Sequence, residues 1–212
     1  MNKLLIRNEQ KKDYRAVEEA TREAFWNLYV PGCDEHYLVH LMRNSPDFLP
    51  ELAFVAVLNE KVVGSIFFTK SYILDENGMR YDTITFGPVS VLPDLHRQGI
   101  GSALIEHGKQ AAIQHGYRAI LIYGYPEYYK RFGFRHAKDF GISNPDGKYP
   151  LAHLCLELFE SALQGISGKA FESDIYDIDK NAAQEYDALF EAKVKLVTPS
   201  QKIFAETAAA FL

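Results

Sequence analysis

Residues 91–111 read VLPDLHRQGIGSALIEHGKQA. A β-branched run stops at Pro93, and Gly99 and Gly101 stand at the mouth of a long apolar-periodic stretch. That stretch predicts a helix over 98–115, closed by Gly116. Each glycine costs a helix ~0.5–1 kcal/mol relative to alanine. The first turn of any helix carries free N–H groups and partial positive charge. Without a Cβ in the way, a phosphate can reach them. A tight strand-to-helix turn with close packing explains the same two glycines, so on this motif alone both readings stand. A phosphate loop is excluded, because Ser102 and Ala103 follow Gly101 rather than Gly-Lys-Ser. The dinucleotide fingerprint is excluded too, with Leu104 at the place of its third glycine.

The flanking segments set the fold class. YDTITFGPVSV (81–91) reads as a strand, and RAILIY (118–123) as a buried one. With the helix between them they form a right-handed parallel unit. Upstream, LAFVAVL (52–58) and VVGSIFFTKSYIL (62–74) flank NEK as a hairpin. KLLIR (3–7) predicts a first strand. Asp13 is expected to cap a helix whose stripe is Tyr14, Val17, Ala20, Ala24 and Phe25. VPGC (30–33) breaks that helix, and a second starts near Asp34. Downstream, YPEYYKRFGF (125–134) predicts a short helix and then a strand, and HLCLELF (153–159) another strand. An Ala-rich helix is expected over 180–193, and Pro199 opens a last one. The result is an α/β (α+β) class: a mixed central sheet flanked by helices. Residues 1–160 are expected to form the main domain, with 161–212 as a C-terminal extension packed on it.

Among the 212 residues 47% are hydrophobic, enough for a sizeable core, and 13% are aromatic, enough to wall a pocket. The formal net charge of −5 argues against a nucleic-acid partner, which needs a basic face. No stretch approaches a membrane span, and MNKLLIRNEQKKD lacks a signal-like apolar run, so a cytoplasmic location is expected. Two distant cysteines make no disulfide framework; Cys155 reads as a core residue, and Cys33 sits in a Pro-Gly loop that can expose it. His36 and His40 are spaced i, i+4, but no HExxH or third ligand accompanies them, so no metal is expected.

The run V-x-P-x-x-x-x-x-G-x-G, with His96-Arg97-Gln98-Gly99-Ile100-Gly101 at its end, resembles the acyl-CoA-binding motif of the GNAT N-acetyltransferase superfamily. That motif opens with Gln or Arg where this chain has His96. YYKRFGF (128–134) resembles the family's Tyr-x-x-x-Gly-Phe signature, running from Tyr129 to Gly133-Phe134. The resemblance covers about 50–137 well and 1–49 loosely, and is strongest to YhbS-like N-acetyltransferases. Gly124-Tyr125-Pro126 departs from the Gly-Asp-Pro common there.

The resemblance implies a splayed sheet and acetyl-CoA as co-substrate, held along Val89, Ser90 and Val91 and over Arg97, Gln98, Gly99, Ile100, Gly101 and Ser102. It implies direct acetyl transfer to an amine, with Tyr129 as general acid and the Val89 N–H as the donor nearest the acyl oxygen. Pro88, lacking an N–H, is expected to mark a bulge that parts its strand from the next. Glu35 is the candidate general base, with Asp34 and Glu127 as alternatives and a plain helix-terminal acid as the other account of Glu35. Tyr128 ranks behind Tyr129. The expected acceptor is a small-molecule or amino-acid-like amine. Two rivals stay open, a non-catalytic acyl-CoA sensor and a protein or peptide acetyltransferase, as does a homodimer.

Overall fold

The computed structural model describes residues 4–212. Lys3, where the first strand was expected to begin, lies outside them. Chain order is β1 (Leu5–Asn8), α1 (Tyr14–Phe25), α2 (Glu35–Met42), β2 (Phe54–Leu58), β3 (Lys61–Leu74), β4 (Arg80–Val91), α3 (Ile100–Gln114) and β5 (Ala119–Tyr123). There follow α4 (Pro126–Tyr129), β6 (Arg135–His136), β7 (Ile142–Ser143), β8 (His153–Glu157), β9 (Gly168–Phe171), α5 (Lys180–Asp187) and α6 (Pro199–Ala209).

The strands form one mixed sheet in the order β1-β2-β3-β4-β5-β8-β6, with β9 paired to both β3 and β7. β1 to β4 are antiparallel, and β4 and β5 are parallel. One face packs against α3, where Leu104 and Ile105 meet Ile66, Phe68, Ile84 and Ile120. The other face is covered in two halves. Val17, Leu38, Val39 and Met42 of α1 and α2 lie over Val55 and Phe67. Ala137, Ile142 and Leu163 lie over Ile73, Leu121 and Cys155. An Arg43 guanidinium bound to Glu9 and Glu18, all three nearly buried, ties the two helices to the end of β1. Breaking such a buried cluster costs ~3–5 kcal/mol, because it strands a charge.

The sheet is splayed. β4 and β5 meet only at Ile84↔Ile120. Beyond Ile84, β4 keeps β3 on one side and is unpaired on the other, while β5 continues against β8. Pro88 does mark a bulge, but against β3: Ile66 faces Val89 and Phe68 faces Phe86, so Gly87 and Pro88 together oppose Phe67. The parting from β5 begins at Thr85, before that bulge.

Three local expectations shift. Asp13 precedes α1 without capping it, since its carboxylate pairs with Arg7 and accepts the Gln10 N–H. The Ala-rich helix stops at Asp187, whose carboxylate binds the buried Arg22 of α1, and residues 188–198 run on without helix or strand. Cys33 is buried, its thiol 3.5 Å from His36 Nδ1. Among the described residues no helix is long and apolar enough to cross a membrane.

Candidate functional site

The glycine pair sits at the N-terminus of α3. Gly99 is its N-cap at φ +83°, and no described side chain caps the helix. That left-handed conformation suits glycine, and a Cβ there would meet no described protein atom within 4 Å; it would project into open space. Arg97 is left-handed as well, at φ +62°. The loop curls into a concavity of the kind that gathers backbone N–H groups around an anion. Arg97, Gly99, Ile100, Gly101 and Ser102 all border a cavity of about 760 Å³. Gln98 does not: its side chain folds back toward the Asp94 carbonyl. Arg131, which no motif marks, borders the same cavity, donates to Ser102 Oγ at 3.1 Å and stacks over Tyr128.

The cavity continues into the gap between β4 and β5. Leu92 N–H donates to the Val63 carbonyl, across to β3. N–H groups alternate sides along a strand. The Ser90 N–H therefore faces β3, and those of Val89 and Val91 face the gap. Both valines border the cavity. The Ser90 side chain is buried away from it, bonded to Ser65 and Thr21. His96 Nε2 lies 2.8 Å from the Val91 carbonyl, so one of the strand's acceptors already has a partner in the chain.

Tyr129 stands at the far end of the gap. Its ring packs against Phe86 and Phe134, and it borders the cavity. Burial, then the neighbouring Tyr29 and Tyr128, raise its pKa well above the ordinary phenol value, so it keeps its proton at neutral pH. Gly124 makes this seat: a Cβ there would lie 2.7 Å from Tyr129 Cδ2. Tyr128 instead lies beside Gly101, under Arg131.

Glu35 opens α2 and accepts the Asp34 N–H, so it does serve its helix terminus, and it does not border the cavity. Burial nonetheless raises its pKa to about 7, with Asp34 adding to the rise and Lys180 opposing it. Tyr29 and Cys33 both feel its charge. Asp34 is paired with Lys180, and Glu127 with Lys130. The two histidines diverge: His36 is fully buried with Cys33 and Asp187, and His40 meets Glu18 and Tyr186.

The C-terminal segment crosses this region. Thr198, Ser200 and Gln201 bond to the carbonyls of Asn27 and Leu28, at the end of α1. At its other end Leu151 N–H donates to Ala210 O, and Leu212 N–H to Tyr149 O. Between the two anchors Phe204 of α6 stacks on Tyr29 at 4.4 Å. Thus α6 bridges two banks of the cleft, that of Leu28 and Tyr29 and that of Gly124, whose N–H donates to Ala152 O. No motif marks this strap, because it is held through main-chain carbonyls.

The profile of the acetyltransferase (GNAT) family matches residues 19–134. Among solved structures, the chain is similar to a GNAT family N-acetyltransferase (YhbS) from Escherichia coli in complex with CoA. The TM-score is 0.73, with 24% identity over 84% of this chain and 94% of that one. It is also similar to a GNAT family acetyltransferase from Brucella melitensis in complex with acetyl-CoA, with TM-score 0.67 and 25% identity over 84% of this chain and 100% of that one. No curated protein matches it. The family match spans more than half of the residues, and it encloses both the glycine turn and Tyr129; the chain belongs to the GNAT acetyltransferase family.

Proposed function

We propose that the protein transfers the acetyl group of acetyl-CoA directly to the amine of a small molecule, both substrates being held at once. The observation that carries this is the continuity of one cavity, from the uncapped start of α3, past the free N–H groups of Val89 and Val91, to the protonated Tyr129. The α3 N-terminus and Arg97 supply donors for a diphosphate, and Arg131 a further cation. The two valine N–H groups offer strand-like pairing to an amide-bearing arm. Holding amine and thioester together supplies much of the rate without a covalent enzyme intermediate.

The protein's own groups then balance the protons. Glu35, behind the cavity wall at Tyr29, takes one from the amine by way of a water, the Val89 N–H stabilises the developing oxyanion, and Tyr129 gives one to the departing sulfur. The N–C bond forms as the C–S bond breaks, leaving an amide and a thiol. The α6 strap, anchored at Asn27 and Leu28 on one bank of the cleft and at Tyr149 and Leu151 on the other, favours a small acceptor.

Thiol release from acetyl-CoA, measured with a panel of primary amines and of peptides, tests the reading. Turnover with small amines and none with peptides is expected. Tight CoA binding without turnover of any amine would overturn catalysis, and turnover confined to peptides would overturn the small acceptor.

A further inference from the structure

Two banks flank Tyr129 in the large cavity, Phe25, Leu28 and Tyr29 on one and Tyr123 and Gly124 on the other. Tyr29 acts on the Tyr129 hydroxyl, and Gly124 lies against the Tyr129 ring, so both banks adjoin the place of transfer. What these banks are made of selects among amines.

The first property is charge. Arg97 and Arg131 border the cavity, but both belong to the cradle, the one in its loop and the other bonded to Ser102. His96 is taken up by the Val91 carbonyl. Among the described residues no carboxylate borders the cavity. Glu172 and Asp146 act on the Tyr123 hydroxyl and Glu35 on that of Tyr29, yet all three lie outside the lining. A second ammonium on the acceptor would find no counter-ion in these walls, and a carboxylate on the acceptor no cation beside Tyr129.

The second property is flat aromatic surface. Tyr29 stacks on Phe204 at 4.4 Å and 28°, and Tyr123 on His153 at 4.8 Å and 10°. Neither Phe204 nor His153 borders the cavity, so each tyrosine is backed by a ring from outside and stays open to the cleft. Tyr29 is 37% exposed and Tyr123 48%. A fixed ring on each bank is complementary to a third ring between them, whereas a saturated group of the same size fills the space without the stacking geometry.

We propose that the acceptor is an aralkylamine, a primary amine on a short alkyl chain, with an aromatic ring seated between Tyr29 and Tyr123 and no second charge. This rests on the acetyl-transfer reading of the cavity and narrows it. The two tyrosines hold the ring, and the alkyl chain carries the amine to Tyr129. The bond changes are those already written: the nitrogen bonds to the acetyl carbon as the C–S bond breaks. Tyr29 and Tyr123 thus determine specificity and touch the ring rather than the reacting atoms.

The test is a matched set of amines. Acetyl transfer is measured for 2-phenylethylamine, for 2-cyclohexylethylamine with the same skeleton and a saturated ring, for phenylalanine with an added carboxylate, and for 1,4-diaminobutane with a second cation. Binding of each to the CoA complex is followed by calorimetry. 2-Phenylethylamine is expected to exceed each of the others about tenfold in kcat/KM, mainly through KM, as one lost stack or one unpaired charge gives. In Tyr123→Leu its advantage over the saturated amine falls toward one, and Tyr123→Phe restores it. Tyr29→Leu, on the other bank, gives the same reading if Tyr123→Leu fails to fold. Any of the three comparison amines matching 2-phenylethylamine, or an aromatic preference untouched by Tyr123→Leu in a variant with wild-type circular dichroism, overturns the aromatic seat while leaving acetyl transfer standing. If no amine is turned over, calorimetry decides alone. Binding of 2-phenylethylamine that Tyr123→Leu weakens and Tyr123→Phe keeps upholds the seat as the transfer reading falls, and absence of that binding removes both.

Discussion

At one end of the cleft, residues 97–102 supply a concave run of main-chain donors, all within six positions of one another. At the other, Tyr29, Tyr123 and Tyr129 line the cleft from separate segments of the chain, and Phe204 of α6 stacks on Tyr29. The first end is made of backbone, which every residue possesses, and glycine merely uncovers it. The second is made of side chains, whose identity can drift with the acceptor. A chain built this way keeps one ligand constant and leaves the other free to change.

If that division holds, substitutions at the two ends separate cleanly in their effects. The largest is expected where they meet. Tyr129→Phe lowers kcat ~10²-fold with little change in coenzyme affinity, as loss of a general acid does. Gly124→Ala has the same direction, because the added Cβ collides with the Tyr129 ring. Steady-state kinetics beside CoA calorimetry reads both, and a fall in CoA affinity equal to the fall in kcat would mean that Tyr129 only packs.

Gly99→Val acts on the cradle alone. Forcing a branched residue to a left-handed conformation costs ~1–2 kcal/mol, which is ~10-fold in CoA Kd. Acceptor KM at saturating acetyl-CoA is expected to stay put; if it rises in step, the two ends are not independent.

Glu35 sharpens the comparison through pH. With its pKa raised to about 7, the carboxyl is neutral below that value and a base above it. Activity should climb ~10-fold between pH 6 and 8 if this group is the base, since a single ionisation gives a tenfold rise per unit well below its pKa. Glu35→Gln removes that inflection. Because Glu172 ionises in the same range, the informative quantity is the difference between the two profiles. A profile unchanged in Glu35→Gln returns Glu35 to a helix-terminal role.

The smallest effect is at the strap. Phe204→Ala removes one aromatic stack, worth ~0.5–1.5 kcal/mol. Acceptor KM is expected to rise ~3-fold, with the CoA Kd unmoved. An equal shift in both would place α6 over the whole cleft.

What could be read from the chain follows the same divide. The β4–α3–β5 unit, the two upstream hairpin strands and the glycine turn announce themselves, because periodicity and backbone conformation are local. The left-handed turn at Gly99, φ +83°, is signalled by the residue type itself. The strap is not visible, since Asn27 and Leu28 receive it through carbonyls that no residue type encodes. Asp187 shows the same limit: its stretch favours helix, yet Arg22, 165 positions away, claims its carboxylate, and the helix ends there. His153 carries no spacing signal either, because β8 becomes the neighbour of Tyr123 only through the sheet.

The unpaired flank of β4 has a last consequence. Exposed strand edges recruit the edges of other molecules and seed aggregates. Here the vacant edge faces inward, Pro88 contributes no donor to it, and His96 occupies one of its carbonyls. In the proposed reading the amide-bearing arm of the coenzyme pairs with this inward edge, so the ribbon that serves the ligand is turned away from other chains.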